Sequence, residues 1–476
     1  MTQYEPVIGI EVHAELATDT KIYCGCKNQF GGEVNTHCCP ICLGMPGAMP
    51  KLNAKVVEYG IKAGLATGCK ISEISGQERK NYFYPDLPKA YQNSQDVPLC
   101  YGGQVQIQVD GQTKQIGLTR IHIEEDAGKL LHDAAAGQSL VDFNRSCVPL
   151  IEIVSEPDMR SSKEAHVYLE NLRNILQYIG VSDCKMQEGS IRCDVNVSVR
   201  PVGQKEYGVR IEMKNVSTFS GACAGIEYEV ARQIALLKSG GIVEPETRRW
   251  DDGAGQSFAM RAKGSVHDYR VFADPDLMPV KTTPEQIERI RATIPALPQE
   301  RKDRYQNQYG LSPYDAELLT LERETSDFFD AVVANGAPPK AAANWMMGEI
   351  SRILKEDMKQ ITDIPFTPAQ LAGMIDLISQ GIISNTGAKK VLEELFKMPG
   401  DPKDIVTKFG LAQVSDEGEI KAIVTQIVHE NPESVADYKA GRDRALGFLV
   451  GQVMKETKGK ANPPLVNKLL LEILNG

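Results

Sequence analysis

Within residues 7–16, apolar side chains occupy every second position from Ile8, and from residue 10 onward they alternate strictly with polar ones. This two-residue period predicts a β-strand with one apolar and one polar face. The apolar face carries Ile8, Ile10, Val12, Ala14 and Leu16. The polar face carries two carboxylates on either side of an imidazole, namely Glu11, His13 and Glu15. The solvent-exposed face of an antiparallel strand has the same pattern, so one strand alone does not establish a functional site.

The same alternation recurs elsewhere, with acidic or amide side chains on the polar faces. Residues 190–200 and 209–214 alternate in this way, and an acidic run follows residues 121–123. These segments contribute Asp194, Asn196, Lys214, Glu124, Glu125 and Asp126. If the strands are neighbours, carboxylates, an imidazole and cations converge on one surface of a sheet. Oxygen ligands suit Mg²⁺ and nearby cations suit a polyphosphate, so the pattern favours metal-assisted phosphoryl transfer.

The phosphate-binding loops of common nucleotide folds are missing from the sequence. Neither a Walker A motif nor a Gly-x-Gly-x-x-Gly fingerprint accompanies the strands. Residues 78–92 instead combine Arg79 and Lys80 with aromatic residues and prolines. Such a segment is suited to bind phosphates and to stack on a base or sugar. A rigid, proline-braced loop whose aromatic residues cover the edge of a core is the alternative.

The pattern of the chain changes at two places. Residues 1–292 are rich in alternating segments and contain few convincing helices, of which the clearest begins at Ser161, with capping-box spacing to Glu164. From residue 293 onward the pattern is that of amphipathic helices with short loops. A segment rich in Pro and Gly at 398–402 separates a terminal region from the rest. The sequence therefore predicts an α+β protein with three domains, at 1–292, 293–405 and 406–476.

Composition and charge exclude several classes of protein. The chain has 476 residues, of which 42% are hydrophobic and 24% charged, so it has enough apolar side chains for real cores and is not a disordered or small stapled protein. The net charge of −10 gives no sign of general polyanion binding. Because the chain has neither a signal-peptide pattern nor an apolar run long enough to span a bilayer, we expect a cytoplasmic protein with no membrane association.

Cysteine spacing predicts a structural zinc site near the start of the chain. Eleven cysteines are present, and five of them lie between residues 24 and 42. Two chelating pairs are formed by Cys24, Cys26, Cys39 and Cys42. Four thiolates leave no open coordination position, which is typical of structural rather than catalytic zinc. His37 and Cys38 are further potential ligands, so spacing alone leaves the fourth ligand open. The other six cysteines are better explained by burial.

The net charge of the C-terminal end is positive, whereas that of the whole chain is negative. Residues 431–476 carry seven basic and five acidic side chains, a net charge of +2. Lys455, Lys458 and Lys460 form a cluster that is suited to contact a nucleic-acid backbone. A helix pair with mixed surface charge has a similar composition and is the alternative.

Six long motifs identify a family. They are GIEVHAEL at 9–16, RKNYFYPD at 79–86, EEDAGK at 124–129, DFNR at 142–145, EIVSEPD at 152–158 and SIRCDVN at 190–196. On these motifs the chain resembles the GatB family, the B subunits of tRNA-dependent aspartyl/glutamyl amidotransferases, over its whole length. The resemblance implies a β-rich, cradle-shaped catalytic domain, an all-α helical domain and a small helical tail domain that contacts tRNA.

The resemblance also implies a reaction and its partners. Members of this family use ATP and Mg²⁺ to phosphorylate the side-chain carboxylate of Glu on misacylated tRNA(Gln), or of Asp on tRNA(Asn). Ammonia from an amidase (glutaminase) partner, the A subunit, then displaces the phosphate, and a small third partner, the C subunit, completes the heterotrimer. A non-discriminating aminoacyl-tRNA synthetase, which makes the misacylated tRNA, is a further expected partner.

The resemblance assigns roles to individual residues. It implies that Mg²⁺ is held by Glu11, His13 and Glu125. A second ion, or the orientation of the first ligands, is expected to involve Glu124, Glu152, Asp194 and Asn196. Phosphate neutralisation is expected from Arg79, Lys80, Lys129 and Lys214. The four cysteines resemble the zinc-bearing branch of the family, from whose pattern Cys38 departs, and the tail resembles a tRNA-binding domain.

Two hypotheses from other classes compete with this assignment. In a non-catalytic tRNA-binding scaffold, the acidic strand faces only solvate a sheet and zinc only stiffens the fold. A metal-dependent nuclease would use similar carboxylates, but it would cleave strands without ATP.

Overall fold

A computed structural model describes residues 2–133, 137–262, 269–413, 417–439, 442, 444–457 and 461–475. The chain divides into two compact units, residues 1–298 and 299–476. Each unit is described by itself.

The first unit contains all of the described strands. They are β1 (Tyr4–Glu15), β2 (Lys70–Ile71), β3 (Ile74–Ser75), β4 (Glu78–Asn81), β5 (Tyr91–Ser94), β6 (Cys100–Val109), β7 (Gln112–Glu125), β8 (Lys129–Asp133), β9 (Gln138–Asp142), β10 (Pro149–Ser155), β11 (Ile191–Pro201), β12 (Ile211–Val216), β13 (Glu246–Asp251), β14 (Gln256–Ala262), β15 (Phe272–Ala273) and β16 (Val280–Lys281). Its helices are α1 (Ala54–Ala66), α2 (Ser162–Tyr178), α3 (Phe219–Lys238) and α4 (Pro284–Arg291), with a 3₁₀ turn at Phe143–Arg145.

Nine strands form one sheet, in the order β14-β13-β12-β11-β1-β10-β7-β6-β2. Neighbouring strands are antiparallel except β12 and β13, which are parallel. Three short sheets, β15-β4-β5, β16-β3 and β8-β9, accompany it. One face of the large sheet is covered by helices, and its buried side chains include Ile10 and Val12 of β1 and Leu172 of α2. The other face is left for polar side chains.

Local signals in the sequence explain how the helices reach the sheet. The predicted helix after Ser161 is confirmed, because the Ser161 hydroxyl accepts a hydrogen bond of 3.1 Å from the Glu164 N–H and α2 begins at the next residue. Helix α1 lies so close to the sheet that a Cβ atom at Gly64 would be 2.5 Å from the Cys100 sulfur. Glycine at position 64 therefore permits a helix-to-sheet distance that any other residue would increase.

The second unit is helical throughout its described residues. Its helices are α5 (Pro298–Asn307), α6 (Pro313–Leu319), α7 (Arg323–Ala334), α8 (Pro339–Trp345), α9 (Ser351–Glu356), α10 (Pro368–Ser379), α11 (Asn385–Lys397), α12 (Pro402–Phe409), α13 (Glu417–Glu430), α14 (Pro432–Lys439), α15 (Arg444–Glu456) and α16 (Pro463–Asn475). A π-helical turn spans Met346–Ile350 and a 3₁₀ turn spans Ile361–Asp363. One hydrophobic cluster extends from Tyr305 to Val406 and another from Ile420 to Leu474.

The structure is thus a mixed α and β protein with a large sheet, in agreement with the α+β class. The division into three domains stays a prediction. Within the described ranges, every helix is too short or too polar to cross a bilayer.

Candidate active site

The register of the central strands brings the predicted polar faces together. Strands β7, β10, β1, β11 and β12 are consecutive neighbours in the large sheet. Glu152 on β10 lies opposite His13 on β1 and opposite His122 on β7. Glu11 on β1 lies opposite Asp194 on β11. Side chains that are far apart in sequence therefore line one stripe across the exposed face of the sheet.

His13, Glu124 and Glu152 form a compact set of side chains, here called the His13 group. Each offers a ligand atom, and these atoms lie within 4.8 Å of one another. The Nε2 atom of His13 is 3.3 Å from Glu124 Oε1 and 3.5 Å from Glu152 Oε2. A second imidazole supports the group, since His122 Nε2 is 3.1 Å from Glu152 Oε2. Two carboxylates are thus held between two histidines.

The imidazoles of His13 and His122 and the carboxylates of Glu124 and Glu152 stabilise each other's charged forms. Burial disfavours a charged imidazole, but hydrogen bonds with Glu124 and Glu152 outweigh it and raise the pKa of His13 to about 10 and that of His122 to about 9. Burial also opposes ionisation of the two carboxyls, but the imidazoles lower the pKa of both below its ordinary value. The carboxylates are therefore ionised at neutral pH.

Glu11, Asp194 and Glu212 form a neighbouring set, here called the Glu11 group. Their ligand atoms also lie within 4.8 Å of one another. Lys214 Nζ is 3.0 Å from Asp194 and 3.1 Å from Glu212, and Asn196 Nδ2 donates a 2.9 Å hydrogen bond to Glu11. Burial, reinforced by the neighbouring carboxylates and opposed by the Asn196 hydrogen bond, raises the pKa of Glu11. One lysine therefore contacts two of the three carboxylates of the group.

Both groups line a cavity of about 640 Å³, here called the acidic cleft. Its basic side chains are Lys80, Arg120, Arg192 and Lys214. Arg192 is fixed by Asp126 at 3.0 Å. Lys80 lies 4.8 Å from the centre of the Tyr269 ring. Within the described part of the chain, neither Lys80 nor Arg120 takes part in an ion pair. The cleft therefore offers two cations that are available to an anionic ligand.

The structure does not place Glu125 with Glu11 and His13. Because side chains alternate along β7, Glu124 faces the acidic cleft and Glu125 faces the core. Glu125 is 1% exposed, and its carboxylate accepts bonds from Lys89 Nζ at 2.5 Å, the Asn93 N–H at 2.8 Å and the Cys147 thiol at 2.9 Å. The expected set of Glu11, His13 and Glu125 is therefore not formed, and Glu124 occupies the place beside His13.

The four expected phosphate ligands are also separated. Lys80 and Lys214 line the acidic cleft. Arg79 does not, because it binds Asp274 at 2.9 Å and Asp276 at 2.7 Å. Lys129 is exposed on β8 and outside the residues that line the cleft.

The cysteine motif folds into one cluster. The sulfurs of Cys24, Cys26, Cys39 and Cys42 lie within 4.8 Å of one another, and Cys42 Sγ accepts a 3.1 Å hydrogen bond from the Cys39 N–H. A hydrogen bond from Cys24, which outweighs burial, lowers the pKa of Cys42 to about 5. The Cys42 sulfur is therefore favoured as a thiolate. Zn²⁺ prefers a set of four sulfur donors such as this one.

The two spare ligands predicted near the zinc motif lie outside this sulfur cluster. The Cys38 thiol donates to the Asn35 carbonyl at 3.1 Å, and the backbone N–H of His37 donates to Asn144 at 2.8 Å.

Of the three lysines predicted to contact nucleic acid, Lys455 is exposed on α15, whereas Lys458 and Lys460 lie outside the described residues.

Several side chains of the cleft were not among the predicted site residues. They include Arg120, His122, Arg192 and Glu212. The signal for the first two was present, because the alternation that makes Ile121 and Ile123 core residues places both on the same face as Glu124. Glu212 and Arg192 stand on strands whose polar faces were recognised, but only the order of the strands shows that these faces meet.

Comparisons with known proteins agree over the whole chain. Residues 6–288 match the model of the GatB/GatE catalytic domain, and residues 327–474 match that of the GatB domain. A protein of Caldicellulosiruptor saccharolyticus is 58% identical over 99% of both chains. Relatives from Caldanaerobacter subterraneus and Brevibacillus brevis are 54% and 53% identical over 99% or more of each chain. All three are named as the B subunit of an aspartyl/glutamyl-tRNA(Asn/Gln) amidotransferase, and the chain belongs to this family of amidotransferase B subunits.

Proposed function

We propose that the chain activates the side-chain carboxylate of Glu on Glu-tRNA(Gln), or of Asp on Asp-tRNA(Asn), by phosphorylation from ATP. The observation that carries this proposal is the acidic cleft, in which two adjacent groups of metal-binding side chains lie beside Lys80 and Arg120. The product is Gln-tRNA(Gln) or Asn-tRNA(Asn), which enters translation.

The proposed chemistry explains why ATP is required. A carboxylate does not react with ammonia in water, because its leaving group would be an oxide or hydroxide. In the first step a carboxylate oxygen attacks the γ-phosphorus of ATP, the bond to the bridging oxygen breaks, and ADP leaves. In the second step ammonia attacks the acyl carbon, a proton is lost, and inorganic phosphate leaves with the bonding electron pair. The site must therefore bind a polyphosphate and exclude water from the acyl phosphate.

The donor atoms of the cleft fit Mg²⁺. The Glu11 group supplies three carboxylates and the His13 group two, and oxygen-rich sets with room for water are those that Mg²⁺ accepts. The His13 ring would become a further donor only on losing its proton to the metal's charge. Bound Mg²⁺ would neutralise charge on the phosphates. His122 and Asn196 orient the carboxylates of Glu152 and Glu11, so these side chains position the ligands.

The cations of the cleft have two different roles in this proposal. Lys80 and Arg120, which pair with no carboxylate among the described residues, are available to the transferring phosphoryl group. Lys214 and Arg192 are already paired with acidic side chains, so they keep the acidic groups in position.

Other parts of the reaction belong to partners. We expect ammonia to come from glutamine that the amidase partner, the A subunit, hydrolyses, and the small C subunit to complete the heterotrimer. Structural Zn²⁺ on the four cysteines would stiffen the region that precedes α1. The tail at 406–476, through Lys455, Lys458 and Lys460, would bind tRNA, and a non-discriminating synthetase would supply the misacylated tRNA. We place the enzyme in the cytoplasm.

ATP turnover by the assembled complex tests the proposal. Turnover should require Glu-tRNA(Gln) or Asp-tRNA(Asn) and should be lost in Glu152→Gln, while the amidase partner continues to hydrolyse glutamine. Glu170→Gln on the exposed side of α2 is the matched control and should behave like wild type. Unchanged turnover in Glu152→Gln would favour a binding scaffold, and cleavage of tRNA without ATP would favour a nuclease.

A further inference from the structure

The short sheet of β4 and β5 forms a second wall of the acidic cleft. Glu78 and Lys80 of β4 line the cleft, and so do Ser94 and Gln92, which lie opposite them on β5. Because side chains alternate along a strand, Arg79 between them points away and is absent from the lining. Two sheets therefore face one cavity. The large sheet carries the candidate metal ligands, and the short one carries an acid and a base.

The backbone holds the Glu78 carboxylate in position. Its Oε2 atom accepts a hydrogen bond of 3.0 Å from the Asp96 N–H. The Glu78 residue is half-buried. Within the described ranges, its Oε1 atom accepts no hydrogen bond, and neither oxygen is paired with a cation. One oxygen of a fixed carboxylate is thus available to a positively charged ligand.

The other carboxylates that line the cleft differ from Glu78. The Glu11 group and the His13 group are the candidate Mg²⁺ ligands, and Asp126 binds Arg192 at 3.0 Å. Asp96 also lines the cleft, but this residue is exposed. Among the described residues of the cleft, Glu78 therefore combines a fixed and half-buried carboxylate with the lack of a cationic partner.

The substrate of the proposed function has a positive charge to offer. In an aminoacyl-tRNA the α-carboxyl group is esterified to ribose, so the α-amino group is free, and a neighbouring carboxylate favours its protonated form. The side-chain carboxylate that is to be phosphorylated lies at the other end of the same Glu or Asp residue. Glu78 and Lys80, whose positions on β4 are about 6.6 Å apart, present the complementary pair of charges.

We propose that Glu78 binds the α-ammonium group of the aminoacyl residue and so directs its side-chain carboxylate toward Lys80 and the candidate Mg²⁺ ligands. The inference rests on the proposed function, to which it adds a residue that determines specificity. A carboxylate that binds the α-ammonium group distinguishes an aminoacylated tRNA from an uncharged one.

An analogue of the substrate without the positive charge tests this inference. In the α-hydroxy analogue of the misacylated tRNA, a hydroxyl replaces the α-amino group, while the ester and the side-chain carboxylate remain. The KM of each tRNA is measured from ATP turnover by the assembled complex with Mg²⁺. Wild type should have a KM for the analogue that is about tenfold or more above that for the aminoacyl-tRNA, because a hydrogen bond between charged groups is lost.

Glu78→Gln should remove this discrimination. Its KM for the aminoacyl-tRNA should rise about tenfold, while its KM for the analogue should stay within about twofold of the wild-type value. Glu78→Asp keeps the carboxylate and should retain the preference for the aminoacyl-tRNA. Glu73→Gln is the matched control and should behave like wild type, because Glu73 is exposed and lies outside the residues that line the cleft.

The ratio of the two KM values separates recognition from a structural role. A Glu78→Gln change that only distorted the cleft would raise both KM values together, and the unchanged ratio would overturn the inference. Equal KM values of wild type for the two tRNAs would also overturn it. If wild type consumes no ATP with either Glu-tRNA(Gln) or Asp-tRNA(Asn), the proposed function itself fails.

Discussion

Glu124 and Glu125 are consecutive in the chain, yet their carboxylates lie on opposite faces of the large sheet. Glu124 lies 3.3 Å from His13 in the acidic cleft, and Glu125 is bound by Lys89 in the core. The two glutamates therefore differ in environment. The Glu124 side chain lines the acidic cleft, whereas the Glu125 side chain is buried in the core. Substituting each of them separates catalysis from stability.

Replacing Glu124 should affect ligand binding far more than folding. Glu124→Gln keeps the shape of the side chain but removes a carboxylate from the His13 group, so we expect the apparent Mg²⁺ affinity to fall about 10- to 100-fold. The free energy of unfolding should change by only about 1 kcal/mol, because His13 and His122 can lose their protons. Mg²⁺ titration of ATP turnover in the complex measures the first effect, and urea unfolding of the chain measures the second. Normal Mg²⁺ dependence would contradict the assignment.

Replacing Glu125 should affect the free energy of unfolding far more than Mg²⁺ binding. Glu125→Gln leaves the buried ammonium of Lys89 without a carboxylate, which typically costs about 3–5 kcal/mol. The double variant with Lys89→Met should recover much of this loss, because no buried charge remains unpaired. Urea unfolding can be followed by Trp250 fluorescence in a Trp345→Phe background, since the chain has two tryptophans. If the double variant is no more stable than Glu125→Gln, the ion pair does not explain the burial of Glu125.

The ion pair of Arg79 and Asp274 should give the first unit an acid-sensitive contribution. Burial opposes ionisation of Asp274, but hydrogen bonds from Arg79 outweigh it and lower the pKa of this carboxyl. A lowered folded-state pKa stabilises the protein above the unfolded value of about 3.9, and this stabilisation is lost as the pH falls through the folded value. Between about pH 5 and pH 3, wild type should lose more stability than Asp274→Asn. Urea unfolding at a series of pH values measures the free energy of unfolding of both proteins. Parallel curves of this free energy against pH for wild type and Asp274→Asn would contradict the prediction.

The cysteine cluster should hold about one zinc per chain. Cys39→Ser should lose the metal and unfold at lower urea concentration, because the four sulfurs would no longer close around the ion. Cys38→Ser is the matched control and should retain zinc, since the Cys38 thiol donates to the Asn35 carbonyl outside the cluster. Elemental analysis of purified protein measures the content. A zinc-free, fully stable Cys39→Ser protein would show that the metal is not a structural requirement.

Charge reversal in the tail should weaken tRNA binding without changing ATP affinity. The triple variant Lys455→Glu, Lys458→Glu and Lys460→Glu removes three candidate phosphate ligands, so the slope of log affinity against log salt should become shallower by up to about 1 for each lysine replaced. Binding of uncharged tRNA across a salt series measures the slope. Lys359→Glu, an exposed change in the second unit, should leave the slope unchanged. Equal slopes for the triple variant and wild type would exclude the tail from the interface.

Local patterns predicted much of the site, and non-local pairing supplied the rest. The two-residue period of β1 was sufficient to place Glu11 and His13 on one polar face. The same period along β7 puts Glu125 in phase with Ile121 and Ile123, and thus in the core, although the family motif drew attention to all three acids at 124–126. The spacing of the cysteines likewise predicted the two pairs of sulfurs that meet, although it left His37 and Cys38 open as alternatives for the fourth ligand.

Strand order is the part that no single segment encodes. Residues 190–200 pair with β1 although nearly two hundred residues separate them, because antiparallel pairing depends on the whole sheet. For this reason the meeting of Glu212 with Glu11, and of His122 with Glu152, appears only in the folded chain. The pairing of Arg79 with Asp274 is a similar case. The two residues are far apart in the sequence, so no local pattern predicts that Arg79 binds a carboxylate rather than lining the cleft.

The two faces of β1 make this strand intolerant of changes in length. Ile10, Val12 and Ala14 are buried in the core, while Glu11 and His13 between them line the acidic cleft, so inserting or deleting one amino acid in this part of β1 would exchange the two sets. Glu11 and His13 would then enter the hydrophobic interior while Ile10 and Val12 faced the acidic cleft. In a saturating mutational scan, substitutions along β1 should alternate between loss of abundance and loss of activity at full abundance, and single-residue indels should abolish both.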